Sequence, residues 1–204
     1  MDIAIFFKLR NRLSSCLQGL LYPLFFSRFE RGARILRPLR IAGSHNIAIG
    51  AKVFINNGAW LEAIHSFDTT PVLTIKARTY IGNHAHIIAT QSIVIEENAL
   101  IADRVYIADY VHGFRDPATP IRDQPLEARS PVRIGAGAWI GENAVLIGCR
   151  IGRQSVIGAN SVVTSDIPDY CVAVGAPARV IRCYDPDTDQ WVKVRQEAPC
   201  AVSA

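Results

Sequence analysis

From Ile49 onward, aliphatic residues recur at every sixth position: Ile49, Ile55 and Leu61, then Ile75, Ile81 and Ile87. The series resumes with Ile95, Ile101 and Ile107, continues with Ile134, Ile140 and Leu146, and closes with Ile151, Ile157 and Val163. Glycine often follows, as at Gly50, Gly82, Gly135, Gly141, Gly152 and Gly158. Four places after the aliphatic stands a small or slim residue: Val53, Ala59, Ala85, Ala99, Val105, Ala138, Ala144, Ser155 or Ser161. Neither the 3.6-residue period of a helix nor the alternation of a half-buried strand produces this pattern. A short strand followed by a corner does. Three such sides close one coil of about 18 residues, and stacked coils pair as parallel strands about 4.8 Å apart. The aliphatic residue plugs the interior and the small one fits the narrowing space at the bend. Glycine is expected to supply the unusual backbone angles of the corner.

The phase breaks twice. A short insertion runs from His65 to Pro71, and a longer one over residues 113–131 carries Asp116, Pro117, Pro120, Pro125 and many charges. A loop of that length inside a regular solenoid is usually functional or disordered, and its prolines favour an ordered excursion. It reads as a flap over a site. The domain reading is a basic and apolar helical segment over 1–40, the repeat over 41–183 and a tail over 184–204.

Composition agrees with a strand-built core. The chain has 204 residues, half of them hydrophobic and only 8% aromatic, and 20% are charged. Disordered solvated chains look different, and one domain is expected at this length. The net charge of +4 is uneven. Residues 1–40 hold eight basic side chains against Asp2 and Glu30, a balance of +6, which leaves −2 for the other 164 residues. A nucleic-acid binder would spread its basic stripe over the folded body, so nucleic acid is not expected as a partner. The leading segment mixes these charges with apolar residues, and its longest uncharged run, Leu13 to Ser27, is shorter than the ~20 residues that span a bilayer. Two readings stay open for it: a helix capping the domain or packing on a neighbouring subunit, or a helix lying on an anionic membrane surface. Five cysteines (Cys16, Cys149, Cys171, Cys183 and Cys200) form no CxxC pair. Free thiols in a reducing, cytoplasmic setting are therefore expected rather than a disulfide framework or a zinc knuckle.

Candidate chemistry gathers before the flap, at Asp109-Tyr110-Val111-His112-Gly113-Phe114. His112 falls at the sixth place of its hexapeptide, at a corner, so its ring should point outward. Imidazole suits proton abstraction because its ordinary pKa lies close to neutrality. A solvated surface histidine is the alternative reading of the position alone. His86 is another sixth-place residue, on a different edge of the prism, near Asn83 and His84. Asp109, Asp116 and Glu127 could each orient an imidazolium, or be ordinary loop carboxylates.

The hexapeptide pattern resembles that of left-handed parallel β-helix proteins, chiefly trimeric acyltransferases; the handedness rests on the resemblance, because general chain sterics favour right-handed crossovers. The fold expected is mainly β, a left-handed parallel β-helix with a short N-terminal helical segment and a protruding loop. The stretch IADYVHGFRDPATPI, with PVRIGAGAWIGENAVLIGCRIG, VIGANSVVTSDIPDY and GAPARVIR, is similar to the sugar O-acetyltransferase branch of that superfamily. The likeness covers residues ~45–183 and implies acetyl-CoA as co-substrate, a sugar or glycan acceptor, a homotrimer and no metal. It makes His112 the general base of a direct transfer without an acyl-enzyme. Beside it, Asp109 and His86 are read from their positions as substrate contacts, His86 by approaching His112 across a three-fold interface. The acetyl-CoA residues it implies are Trp139, Ala159, Ser161, Thr164, Arg179 and Arg182. Ser165 replaces the lysine that often follows the threonine. The asparagine that assists the histidine in galactoside and maltose enzymes falls near Ile88, which cannot hydrogen-bond. Cys149 is expected to be a bystander in the wall. An amino-sugar N-acetyltransferase, a non-catalytic scaffold and a zinc hydratase of the γ-carbonic anhydrase type, using His84, His86 and His112, are the competing readings.

Overall fold

The computed structural model describes residues 17–194. Three parallel ladders run through it. The first face stacks strands Arg28–Phe29, Ile47–Ile49, Val72–Ile75, Ser92–Ile95, Val132–Ile134 and Arg150–Ile151. The second stacks Arg34–Ile35, Phe54–Ile55, Tyr80–Ile81, Leu100–Ile101, Trp139–Ile140, Val156–Ile157 and Cys171–Gly175. The third stacks Arg40–Ala42, Trp60–Ala63, His86–Ala89, Tyr106–Ala108, Val145–Ile147 and Val162–Val163. The chain visits the faces in rotation, so each circuit adds one strand to every ladder. A three-sided rod results, mainly β and parallel, as the six-residue period requires.

Aliphatics stack in register along the axis, as in Ile41↔Leu61↔Ile87↔Ile107↔Leu146↔Val163 on the third face. Nearly all of these side chains are fully buried, and so are the small corner residues from Val53 to Ser161. Each large aliphatic withdrawn from water contributes ~1.5–3 kcal/mol.

The repeated glycines act differently from expectation. Gly50, Gly82, Gly135, Gly141, Gly152 and Gly158 are not among the positive-φ residues. The left-handed corner position lies two residues further on and is occupied by Lys52, Arg78, His84, Asn98, Arg104, Asn143, Gln154 and Asn160, or by Gly58 and Gly137. What the repeated glycine permits is close stacking: a Cβ on Gly141 would stand 2.6 Å from the backbone N of Ala159 in the next coil.

Both boundaries differ from the sequence reading. The rod starts at Arg28 rather than 41, because Phe29, Ile35 and Ile41 already carry the six-residue phase, hidden among arginines. Ahead of it, residues 17–21 are helical and Tyr22–Leu24 forms a 3₁₀ turn; residues 1–16 of the expected helical segment lie outside the described residues. At the other end, Ala178–Asp185 and Gln190–Lys193 extend the second face as antiparallel strands. The thiol expectation also fails: Cys171 and Cys183 face each other across the first of these antiparallel pairs and are disulfide-bonded. The two cysteines were distant from any CxxC motif, and only the reversal of the chain at Pro177 brings them opposite. Cys149 is free and buried, and burial pushes its thiol up to about 12.

Candidate active site

The long insertion leaves the rod at the corner between the third and first faces and is ordered. Tyr110–His112 pairs antiparallel with Leu126–Ala128, with a 3₁₀ turn at Ile121–Asp123. The tip is stitched internally: the Asp116 carboxylate accepts from Ala118 N at 2.9 Å and Thr119 Oγ1 at 2.5 Å, while Gln124 Nε2 donates to the Asp116 and Thr119 carbonyls at 2.8 Å. These bonds hold the Asp116 carboxyl below its usual range.

Asp109 anchors the base of this hairpin and is fully buried. One carboxylate oxygen accepts from Thr90 N and Thr90 Oγ1, each at 2.7 Å, and the other from Gln91 N and Ser92 N, each at 2.8 Å. Its carbonyl accepts from Arg129 N at 2.8 Å, which closes the hairpin. The expected substrate contact at Asp109 is therefore corrected. Its carboxylate has no free face, and its role is to position the strand that bears His112.

His112 is exposed, as expected of an outward corner residue. It pairs with Leu126, and Tyr110 pairs with Ala128, so these four share one side of the hairpin. Glu127 lies on the opposite side and is ion-paired with Arg115 at 2.8 Å and Arg129 at 3.6 Å. None of Asp109, Asp116 and Glu127 contacts the imidazole among the described residues. Its ring neighbour is Tyr110, 6.3 Å away between centroids.

Tyr110 opens a group that sequence reasoning missed. On the outer side of the third face, Trp60, His86 and Tyr106 follow one another in register. Trp60 stacks on His86 with centroids 4.5 Å apart, and His86 meets Tyr106 edge-on at 5.2 Å. Tyr110 follows, its phenol pushed up to about 12, first by burial and then by Tyr106, Glu62 and Asp109. Glu62 is buried and ion-paired with Arg40, whose guanidinium lies 5.5 Å over Trp60. Burial lowers the His86 imidazole, with the Glu62 charge acting in the opposite direction. The Nε2 of His86 and the Nε1 of Trp60 are buried without a hydrogen-bond partner among the described residues. A chain of rings thus runs from Trp60 through His86, Tyr106 and Tyr110 to His112, although the two histidines start from different corners. The available signal was the residue just before each interior aliphatic: Trp60, His86 and Tyr106 all hold that place. Ile88, at the expected asparagine position, is buried and stacked directly on Glu62.

The predicted acetyl-CoA residues separate into two groups. Trp139 is 49% exposed on the outer side of the second face, in register with Val156 and Val172. Arg182 pairs with Val172 and Arg179 with Val174, which puts both arginines on the same outer side as Trp139. Ala159 and Thr164 are exposed at corners. Ser161 is fully buried and its Oγ accepts from Gly175 N at 3.1 Å, so its hydroxyl serves the interior. In a three-sided rod, the corner that carries His112 lies opposite the second face. His112 and the group of Trp139, Arg179 and Arg182 therefore sit on opposite sides of one chain. No group of three or more His, Cys, Asp or Glu side chains is arranged to hold a metal ion among the described residues.

A three-sided rod of parallel coils with an ordered flap and a clustered imidazole defines a class of solenoid protein, and known proteins place the chain within it. AntD, an N-acyltransferase from Bacillus cereus solved with dTDP and 3-hydroxybutyryl-CoA, has the same fold at TM-score 0.67 and 19% identity, over 84% of this chain and 90% of AntD. The hexapeptide-repeat acetyltransferase VCA0836 of Vibrio cholerae, solved with acetyl coenzyme A, matches at TM-score 0.59 and 23% identity over 82% and 76%. The family model for the hexapeptide repeat of succinyl-transferase matches residues 131–165. WbbJ of Escherichia coli K12, provisionally named a lipopolysaccharide biosynthesis O-acetyl transferase, is 34% identical over 174 residues, 81% of this chain and 86% of WbbJ. The chain belongs to the hexapeptide-repeat acetyltransferase family. A Mycobacterium tuberculosis acetyltransferase, also provisionally named, is 50% identical over 72 residues, 35% of this chain. That match spans 24% of the mycobacterial protein, and a Staphylococcus aureus relative is matched over 34% of its length.

Proposed function

We propose that the protein is an acetyl-CoA-dependent O-acetyltransferase that acts on a sugar hydroxyl in surface polysaccharide or lipopolysaccharide assembly. The observation that carries this reading is the likeness to WbbJ along most of both chains, together with an exposed His112 on an ordered flap. His112 takes the proton of the acceptor hydroxyl. The freed oxygen attacks the thioester carbonyl, the carbon–sulfur bond breaks, and the proton held by His112 passes to the departing sulfur, so that CoA leaves as the thiol. A backbone N–H holds the oxyanion, and the side-by-side placement of both substrates supplies most of the entropic advantage. The outer side of the third face, which leads through Tyr106 and Tyr110 to His112, is the acceptor side; His86 Nε2 and Trp60 Nε1 are buried within it, so His86 positions the neighbouring rings rather than touching the sugar.

Acetyl-CoA runs along the second face past Trp139, with Ala159 and Thr164 at the adjoining corners and Arg179 and Arg182 on its phosphates, since guanidinium presents forked, permanently charged donors. Because that face lies opposite His112 within one chain, the site is completed by the flap of a neighbouring copy in a homotrimer of left-handed rods. The setting proposed is the cytoplasm. The test is thiol release from acetyl-CoA against a panel of free, nucleotide-linked and lipid-linked sugars. Turnover confined to hydroxyl acceptors supports the reading. Turnover only with amino sugars assigns the protein to N-acylation, the activity named for AntD.

A further inference from the structure

The N-terminal end of the rod turns its apolar residues outward and its polar one inward. Leu17, Leu20, Leu21, Leu24 and Phe25 follow the i, i+3, i+4, i+7, i+8 spacing that gathers side chains on one side of a helix. In a capping helix that side would face the core. Instead these residues are 58%, 71%, 39%, 75% and 61% exposed. Gln18 takes the inner position: it is buried, its Nε2 donates to the Ile35 carbonyl at 2.6 Å and its Oε1 accepts from Ile35 N at 3.0 Å. Rings of Tyr22, Phe26 and Phe29, 5.2–5.4 Å apart, fasten the segment to the rod in this orientation. The apolar stripe is thus held toward solvent by specific contacts, and a contiguous stripe of this kind marks an interaction surface.

The charges beside it indicate the partner. Arg31, Arg34 and Arg37 are exposed on the first coil, which supplies the edge strand of every face, and none joins an ion pair among the described residues. Leu39 on the same coil is 69% exposed. The sequence ahead adds Lys8, Arg10 and Arg12 against Asp2. Exposed apolar side chains and unpaired cations at the same end of the rod match a bilayer surface whose headgroups carry phosphate, whereas a second copy of the same basic end would meet like charge. No helix among the described residues is long and apolar enough to cross a membrane, so the fit is to its surface.

We propose that this end of the rod docks on an anionic lipid bilayer, with Leu17, Leu20, Leu21, Leu24 and Phe25 entering the headgroup region and Arg31, Arg34 and Arg37 pairing with lipid phosphates. The rod then stands off the membrane on its first coil. The docking surface is separate from His112 and lies at the opposite end of the second face from Trp139, Arg179 and Arg182, so it holds whatever the acceptor proves to be.

Full-length protein is floated with vesicles of phosphatidylcholine alone and with vesicles enriched in phosphatidylglycerol. Binding is expected to the anionic vesicles and to weaken as salt rises. Leu20→Glu with Leu24→Glu should cut that binding roughly tenfold or more without changing the melting midpoint. Arg31→Ala with Arg37→Ala should cut it roughly fivefold for each residue in contact and leave residual binding to phosphatidylcholine unchanged. If the glutamate pair lowers the melting midpoint, the arginine pair decides the matter, since both side chains are exposed; unchanged affinity for anionic vesicles then overturns the proposal. Failure to float with either vesicle also overturns it. So does a fall in solution mass of the glutamate variant by light scattering without lipid, which would assign the stripe to contact between copies.

Discussion

At the scale of single residues, the site turns on which imidazole is free. His112 stands exposed with Tyr110 as its ring neighbour, whereas His86 is enclosed between Trp60 and Tyr106. His112→Ala is expected to lower kcat by ~10²–10⁴, the usual worth of a general base, while acetyl-CoA affinity measured by calorimetry stays unchanged. A variant with undiminished turnover would remove His112 from the mechanism. For His86 the consequence is one of stability. Burial holds its folded pKa down, so the unfolded chain takes up the proton first, at about 6.5. The stability linked to His86 is present above that pH and is lost as pH falls below it toward the lower folded value. Urea midpoints should therefore decline between neutral and mildly acid pH in the native protein and decline less in His86→Phe. Equal decline in both would locate the acid sensitivity elsewhere. The sequence expected an outward His112 and the residue is exposed, but the hairpin pairing with Leu126 holds it there rather than a corner of the coil. It misjudged Asp109 because four hydrogen bonds from Thr90, Gln91 and Ser92 join coils about eighteen residues apart, a distance that local pattern does not encode.

At the scale of the repeating element, six residues do three jobs. The aliphatic fills the axis, the glycine lets the next coil approach, and the positive-φ residue turns the corner. Gly141→Ala would bring a methyl within 2.6–2.8 Å of Ala159 N, Ile157 O and Gly158 C. Overpacking against backbone of this kind costs about 1–3 kcal/mol, visible as a lower thermal midpoint. Asn143→Gly in the same corner, where φ is +58°, should change stability by far less, because glycine tolerates that conformation. If the two substitutions proved equivalent, close stacking would not explain the glycine. The hairpin is the element outside this rule. Its prolines and polar residues announced an ordered excursion, but the antiparallel pairing of Tyr110–His112 with Leu126–Ala128 depends on Asp109 at its base and on Gln91 of the coil below, whose Nε2 donates to the Asp109 and Arg129 carbonyls.

At the scale of the whole molecule, the three faces have different exteriors. The second presents Tyr80, Leu100 and Trp139 in one register, leading to Arg182 and Arg179, and the third presents the ring chain ending at His112. Opposite placement of the predicted base and the predicted CoA groove makes a specific demand on assembly. His112→Ala chains and Arg179→Ala/Arg182→Ala chains, each weak alone at acetyl-CoA levels far below KM, should partly restore turnover when co-expressed. Mixed oligomers then contain sites with one intact half from each chain. No recovery in mixed oligomers would mean that both halves of a site come from the same copy.

What the sequence determined by itself is the rod: a six-residue period admits one arrangement of short parallel sides, since each aliphatic must reach the axis once per side. It also determined the flap, as a lapse in that period, although the hairpin begins at Tyr110 and takes in His112. Tertiary structure alone decided which side chains meet. Trp60, His86 and Tyr106 become neighbours only when successive coils stack in register, Cys171 and Cys183 only when the chain reverses, and Gln18 exchanges places with the leucines only because the Ile35 backbone at the open end of the rod needs a partner. Periodicity specifies direction within a coil, whereas contacts between coils depend on the sum of all the turns between them.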